Sequence, residues 1–402
     1  MTARRRITVG DRRARLAERH RLTTATKTDD VAAIADSVVA LHSTDPATVY
    51  LSAIARMRHP SIDAVSKALY DDRTVVRHHA MRRTLWVFTP DVARIAHAAC
   101  TEAVAVTQRK RLAKMVEDSG IAKDGAAWAE SAKAETLAAL ASMGTTTSRQ
   151  LGKQVPHLTG KLQLVVGGRV VNTQSAHTRL LLGLGFDGAV IRGRPSGGWN
   201  ASEYPWSVAE QWLPGGLTGA DPHTAAAELA HRYLDRFGPA TTEDLQWWAG
   251  WPAGATKRAI AAAGAVAVDV EVADGVSDGW VLPDDDEAGS RRSPSWLAFL
   301  PALDPTTMGW KDRSWYLGEH GKFGKSLFDS NGNAGPTIWV DGQVVGGWAQ
   351  RKSGEIAYRL LADVPASRAK AIAARAEEIR TLIGPVRVNV RFPAPMQKEL
   401  LA

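Results

Sequence analysis

GTTTSRQL at residues 144–151 and GPATTEDL at residues 238–245 are two copies of one pattern, and this pattern decides the fold. Each copy places a glycine after a helical stretch, a threonine three residues later, and a leucine four residues after the threonine. The glycine is a typical helix C-terminus, and Thr147 and Thr241 are typical N-caps of a following helix. The repeat predicts two helix-turn-helix units; the alternative is a chance match between ordinary helix pairs of an all-α protein.

Strand-like segments follow both copies. After the first copy, a helix candidate at 173–185 precedes a strand around 189–192. After the second copy, a helix candidate at 255–264 precedes a ribbon whose strands lie at 266–272 and 280–282. Helices followed by a two-stranded ribbon are typical of a winged helix.

The N-terminal part contains the same elements. A helix is predicted from Thr28 to residue 41, with Asp29 and Asp30 in its first turn, and the pair Asp45-Pro46 is typical of the start of the next helix. Strand-like runs at 74–77 and 84–88 follow. We therefore expect three winged-helix modules in tandem.

From residue 293 the pattern changes to short strands. We predict a hairpin at 336–345 with an Asp341-Gly342 turn, a strand at 356–360, a helix at 367–383 and a last strand at 386–390. The acidic run at 284–287 is interpreted as a linker into this part. The expected fold class is α+β, with three winged-helix modules at 1–122, 123–212 and 213–292 and a small β-rich domain at 293–402.

Composition favours a polyanionic partner. The 402 residues carry a net charge of +8, and the N-terminal stretch is rich in arginine, although solubility alone is the alternative explanation. The single cysteine, Cys100, excludes an intramolecular disulfide, and the scattered histidines show no metal-ligand spacing. No apolar run is long enough to span a bilayer, and no signal peptide is evident. We expect a cytoplasmic, nucleoid-associated monomer without cofactor or metal.

Basic residues near the predicted ribbons are the candidate DNA contacts. Arg82 and Arg83, at the tip of the first ribbon, are favoured for insertion into a groove, whereas each cation taken alone is typical of a solvated surface. Trp247, Trp248 and Trp251 have near-helical spacing and are interpreted as core. The remaining candidate DNA contacts are Arg192, Arg194, Lys257, Arg258, Lys311, Arg313, Lys322 and Lys325.

Several segments together resemble the winged-helix DNA-binding family that includes the bacterial interstrand-crosslink DNA glycosylases. They occur in the family's order over most of the chain. The resembling segments are LHSTDP at 41–46 with Tyr50 and Leu51, RTLWVFTP at 83–90, IRGRPSGGW at 191–199, LPALD at 300–304, and NGNAGPT at 331–337 leading into VDG at 340–342.

This resemblance implies three tandem winged helices and a β-rich C-terminal domain that grip duplex DNA in a cationic C shape. It also implies excision of N-alkylated purines, including bulky and crosslinking adducts. In the family, a Gln–hydrophobic–Gln or Gln–hydrophobic–Asp triplet positions the attacking water. Here His42, Ser43 and Thr44 occupy those three positions.

Three residues of this loop are candidates for the chemistry. An N3- or N7-alkylated purine is already cationic, so the enzyme must mainly hold a water and stabilise positive charge on the sugar. His42 is expected to accept the water's proton because its unperturbed pKa lies near neutrality, Thr44 to hold the water, and Asp45 to supply negative charge. For Asp45 a purely capping role is the alternative, and for His42 a purely structural one.

Two functions remain open at this point. The first is a monofunctional DNA glycosylase that acts on alkylated purines. The second is a non-enzymatic duplex-binding protein, either a regulator or a lesion-recognition factor. A regulator that reads a symmetric operator usually needs a dimer, and no dimerisation helix is evident in the sequence.

Overall fold

Local capping signals set the helices of this α+β protein, and the structure, a computed structural model, describes residues 4–272, 275–286 and 295–402. Thr147 accepts the backbone N–H of Gln150, and Thr241 accepts that of Asp244. In return, the Gln150 side chain accepts the Thr147 N–H and the Asp244 side chain accepts the Thr241 N–H. Both motifs are therefore capping boxes. The two predicted helix starts are therefore confirmed.

The N-terminal part combines short helices with a three-stranded antiparallel sheet of order β2-β4-β3. A tight turn, Met81–Arg83, joins β3 to β4 and has positive φ at Arg82 and Arg83. A π-helical segment, His97–Thr101, joins α5 to α6. The elements are β1 Arg6–Ile7, α1 Val9–Arg19, α2 Val31–Asp36, β2 Leu41–His42, α3 Pro46–Arg56, α4 Ile62–Tyr70, β3 Val76–His79, β4 Leu85–Phe88, α5 Pro90–Ala96 and α6 Glu102–Asp118.

The helix predicted from Thr28 to residue 41 is wrong at both ends. Asp30 is the N-cap of α2 and accepts the N–H groups of the first helical turn. Val39 has a φ of 62°, which ends helical geometry. Leu41–His42 then pairs with β4. The apolar residues at 38–41 have helical spacing, but the chain leaves the helix before them, and Leu41 joins the sheet instead.

The central part has four helices and two separate two-stranded ribbons, β5-β6 and β7-β8. The helix predicted at 173–185 begins only at Ala176, because residues 169–175 form β6 and pair with β5. The ribbon β5-β6 was not predicted. The elements are α7 Gly125–Met143, α8 Ser148–Gln154, β5 Lys161–Val166, β6 Arg169–Ser175, α9 Ala176–Phe186, β7 Val190–Arg192, β8 Trp206–Val208 and α10 Ala209–Trp212.

Within its described residues, the third part contains four helices and one ribbon, β9-β10, and this predicted ribbon is confirmed. Strand β1 adds to it in parallel, with Arg6 opposite Asp269, a pairing that the sequence did not indicate. The elements are α11 Pro222–Phe237, α12 Thr242–Ala249, α13 Ala253–Ala262, β9 Val266–Val272, β10 Gly275–Val281 and α14 Pro283–Asp286.

The acidic run at 284–287 is not a solvated linker where the structure describes it. Its residues 284–286 belong to α14, and Asp285 forms salt bridges with Arg15 and Arg19. Glu287 lies outside the described residues, as does the predicted domain boundary at 292/293.

The C-terminal part is a four-stranded antiparallel sheet, β11-β12-β13-β14, with helices packed against it. The predicted Asp341-Gly342 turn is confirmed, since both residues have positive φ. The elements are β11 Leu297–Leu300, α15 Pro305–Met308, α16 Gly324–Leu327, β12 Thr337–Val340, β13 Gln343–Gln350, β14 Ile356–Leu360, α17 Ala366–Ile383 and α18 Pro395–Leu401.

The last predicted strand, at 386–390, is wrong. The side chain of Gln350 donates to the Val386 carbonyl at 3.2 Å and accepts the Val388 N–H at 2.9 Å. A single side chain therefore satisfies backbone groups that a strand would direct to its neighbour.

The largest hydrophobic core joins distant parts of the chain. It contains Ile34 of α2, Tyr50 of α3, Tyr233 of α11 and Leu300 of β11. A second core lies among α6 to α9. Because α3 lies within the larger core, the loop that precedes it, residues 42–45, has a fixed position.

Candidate active site and nucleic-acid interface

The loop at 42–45 is held at both ends. At its start, His42 pairs with Trp86 of β4 in the sheet. At its end, Asp45 is the N-cap of α3 and accepts the Ala47 N–H at 3.1 Å, with Pro46 as the first helical residue. The predicted Asp-Pro helix start is confirmed.

His42 is buried, and its environment disfavours the charged form. Its ring contacts the Trp86 ring edge to face, with centroids 4.7 Å apart, and its Nδ1 accepts the Thr44 N–H at 3.4 Å. Burial, assisted by the positive charge of Arg82, lowers the pKa of His42 to about 3. The expectation of a base that titrates near neutrality is therefore not supported, because desolvation destabilises the imidazolium.

Asp45 lies at the wall of a cavity of about 240 Å³. Its second carboxylate oxygen accepts the Arg391 N–H at 3.4 Å. Burial raises the pKa of Asp45, while the N–H groups of Ala47 and Arg391 act in the opposite direction. Three basic residues of the C-terminal part also line this cavity, but Arg351 forms a salt bridge with Glu355 at 3.0 Å and Arg387 donates to the backbone carbonyls of Lys352 and Gly384, whereas the side chain of Lys352 is exposed. The cavity thus places the Asp45 carboxylate near Lys352, an exposed cation suited to contact a phosphate.

Of the three predicted catalytic residues, only Asp45 lines this cavity. Thr44 is half-buried beside it in the chain, and His42 packs into the core behind the loop. Within this loop, Asp45 therefore faces the cavity, and His42 supports the loop from the core side.

Sequence reasoning missed Arg77, which fixes the middle of the loop. This buried arginine of β3 donates from Nε to the Ser43 hydroxyl at 3.0 Å and from a terminal nitrogen to the Tyr70 hydroxyl. Its guanidinium lies 4.8 Å from the centre of the Tyr204 ring. Among the described residues, the Tyr204 hydroxyl and the second terminal nitrogen of Arg77 have no hydrogen-bond partner. No local signal identifies Arg77, because an arginine in a strand normally indicates a solvent-facing position.

Two predicted DNA contacts converge on one tryptophan. The guanidinium of Arg82 lies 4.0 Å from the Trp247 ring centre, and that of Arg313 lies 4.9 Å from it. Burial and the charge of Arg313 lower the pKa of Arg82 to about 10. Neither guanidinium forms a salt bridge within the part of the chain that the structure describes. Arg313 donates to the carbonyls of Trp310 and Gly332, so Arg82 is the cation of this pair that most favours an anionic ligand.

The other predicted DNA contacts differ in their surroundings: some form salt bridges or contact aromatic rings, and the rest have exposed side chains. Arg194 forms a salt bridge with Asp71 at 2.7 Å, and Lys322 lies 3.9 Å from Glu319. Arg192 is enclosed by aromatic rings, with its guanidinium 5.0 Å from the Trp206 ring centre. The side chains of Arg83, Lys257, Arg258, Lys311 and Lys325 are exposed.

The tryptophan prediction is confirmed for two of three residues. Trp248 and Trp251 are buried in the core, whereas Trp247 is only partly buried and contacts the two arginines.

Cys100 is a free, buried thiol. Within the described ranges no cluster of three or more metal-ligating side chains occurs, and none of the helices there has the length and apolarity to cross a membrane.

Comparison with known proteins shows a family and a similar solved structure. Residues 35–382 match the family described as DNA glycosylase AlkZ-like. The chain is similar to the structure of Streptomyces sahachiroi DNA glycosylase AlkZ, with a TM-score of 0.70 and 18% sequence identity over 96% of this chain and 99% of that chain. No curated protein sequence matches the chain.

Proposed function

Because the chain belongs to the AlkZ-like DNA glycosylase family, we propose that it hydrolyses the N-glycosidic bond of N3- or N7-alkylated purines in duplex DNA, including bulky and crosslinked adducts. Family membership favours an enzyme over a non-enzymatic duplex-binding protein. The observation that carries the substrate proposal is the buried Asp45 carboxylate at the wall of a cavity that Lys352 also lines.

The chemistry follows from this placement. An alkylated purine leaves as a neutral base, so no strong general acid is required. The sugar becomes cationic in the transition state, and a carboxylate in a water-poor cavity stabilises that charge more strongly than it would in water. We assign this role to Asp45. Thr44 does not line the cavity, and its proposed role is to hold the water at the edge of the cavity, next to Asp45 in the chain. His42 supports the loop by accepting the Thr44 N–H.

The substrate class is tested with a duplex that contains a single N7-methylguanine. After incubation with the protein, alkali should cleave the strand at the lesion and should leave an undamaged duplex intact. No cleavage with N7- or N3-alkylated purines would overturn the proposed substrate, although the family assignment would remain.

We further propose that α7-α8-α9 with β7-β8 and α11-α12-α13 with β9-β10 are two of three winged-helix modules. An equivalent bridge supports this: Thr146 exchanges backbone hydrogen bonds with Trp206, and Ala240 does so with Trp280. In each case the residue directly before the capping threonine pairs with the second strand of the ribbon. We propose β2-β4-β3 as the ribbon of the first module, and expect one chain to bind one duplex.

Replacement of Arg82 by Gln is expected to weaken duplex binding. If its unpaired guanidinium contacts a phosphate, the slope of log affinity against log salt concentration should become less steep by about 0.9. Fluorescence anisotropy on an undamaged duplex at several salt concentrations measures both changes. Arg194→Gln is the matched control, because Asp71 already pairs with that charge. Equal effects of the two variants would contradict the assignment.

The pH dependence of excision should report Asp45 and not His42. The carboxylate is the active form and its pKa is raised, so the single-turnover rate should fall with decreasing pH at values above those typical of an exposed aspartate. His42, with a pKa of about 3, is neutral from pH 5 to 8 and should add no step there. A step near pH 6.5 that His42→Asn abolishes would show that His42 is the base.

A further inference from the structure

A second, larger cavity lies along the same face of α3 as the Asp45 cavity, nearer the C-terminal end of the helix. It has a volume of about 680 Å³, opens to solvent and is bordered by α3, β11 and α17. Its walls are largely apolar and include Leu51, Ile54, Phe299, Ile379 and Leu382. Ligand pockets for small molecules commonly have volumes of about 300–1,000 Å³ and predominantly apolar walls. In size and lining this cavity therefore matches a small-molecule site.

The charges at its edge are mostly neutralised. Glu378 forms a salt bridge with Arg375 at 2.8 Å, and Glu377 forms one with Arg380. Lys27 differs, since its ammonium group forms no salt bridge within the described residues, and Glu378 offsets only part of its charge. Burial, together with the nearby charge of Arg375, lowers the pKa of Lys27 to about 8. One unmatched cation thus faces an apolar cavity.

We propose that this cavity binds an apolar molecule that carries a single anionic group, of the class of medium-chain carboxylates. The apolar body lies between α3 and α17, and the carboxylate accepts hydrogen bonds from Lys27. The site is distinct from the Asp45 cavity, although Leu51 and Trp348 line both. Occupancy therefore also stabilises the helix whose N-cap is Asp45.

Isothermal titration with decanoate, below its micellar concentration, and with decanol tests the proposal on the full chain. Lys27→Met should weaken decanoate binding at least tenfold, on the order of one charge-assisted hydrogen bond, and should leave decanol binding unchanged. Ala374→Trp should abolish binding of both ligands, because Ala374 lines the cavity from an exposed position of α17.

Two exposed positions on the same helix provide matched controls. Ala373→Trp and Lys370→Met change the same residue types outside the cavity and should leave both affinities intact. The proposal is overturned if decanoate does not bind, if Lys27→Met weakens both ligands equally, or if Ala374→Trp has no effect. It is also overturned if size-exclusion chromatography shows a dimer that Ala374→Trp dissociates, because a second copy would then fill the cavity.

Discussion

Asp45→Asn is expected to slow single-turnover excision of N7-methylguanine by about 10²–10³-fold, the usual loss when one group that stabilises transition-state charge is removed. The substitution removes the negative charge from the wall of the cavity but keeps the capping oxygen, and asparagine is as good an N-cap as aspartate. The carboxylate's second hydrogen bond, to the Arg391 N–H, is long at 3.4 Å. Thermal unfolding should therefore change little while the rate falls.

Asp221→Asn is the matched control for this experiment. Asp221 also precedes a proline, is also the N-cap of its helix, and lies outside the cavity. Its replacement should leave the excision rate unchanged. If Asp45→Asn excises at the wild-type rate, Asp45 is only a cap and another residue carries the chemistry. If both variants unfold at lower temperature and lose activity together, the loss reflects stability.

The sequence predicts those parts of the site that depend on local signals. Asp45 with Pro46, and the capping threonines Thr147 and Thr241, occur where expected, because capping involves only residues three or four positions apart. A helix start therefore carries its own signature.

Other features depend on contacts between segments far apart in the chain. Arg77 contacts Ser43 and the Tyr204 ring because β3 is paired in the sheet. Arg82 and Arg313 lie close together because both contact the Trp247 ring. The low pKa of His42 has the same origin, since it results from burial against Trp86 and not from neighbouring sequence. Periodicity and spacing contain none of this information.

The C-terminal end of α3 is fixed by a buried ion pair, and its loss is expected to have the largest effect on stability. Arg56 and Asp304 are fully inaccessible to solvent and form two hydrogen bonds of 2.9 Å. Asp304 also accepts the Thr306 N–H at 2.9 Å. This pair explains the aspartate of the LPALD segment, because it links that segment to the helix whose other end is Asp45.

Asp304→Ala should lower the free energy of unfolding by about 3–5 kcal/mol, because it leaves the Arg56 guanidinium buried without a counter-charge. Urea unfolding of the variant measures this loss. Glu399→Ala, which breaks the exposed Arg359–Glu399 pair, is the control and should cost less than about 1 kcal/mol. The double variant Arg56→Met with Asp304→Leu should recover much of the loss, because an apolar pair needs no counter-charge. Two results would contradict this explanation: a loss in Asp304→Ala no larger than that in Glu399→Ala, or a double variant as unstable as Asp304→Ala. Either would show that an unpaired buried Arg56 does not lower the free energy of unfolding as expected.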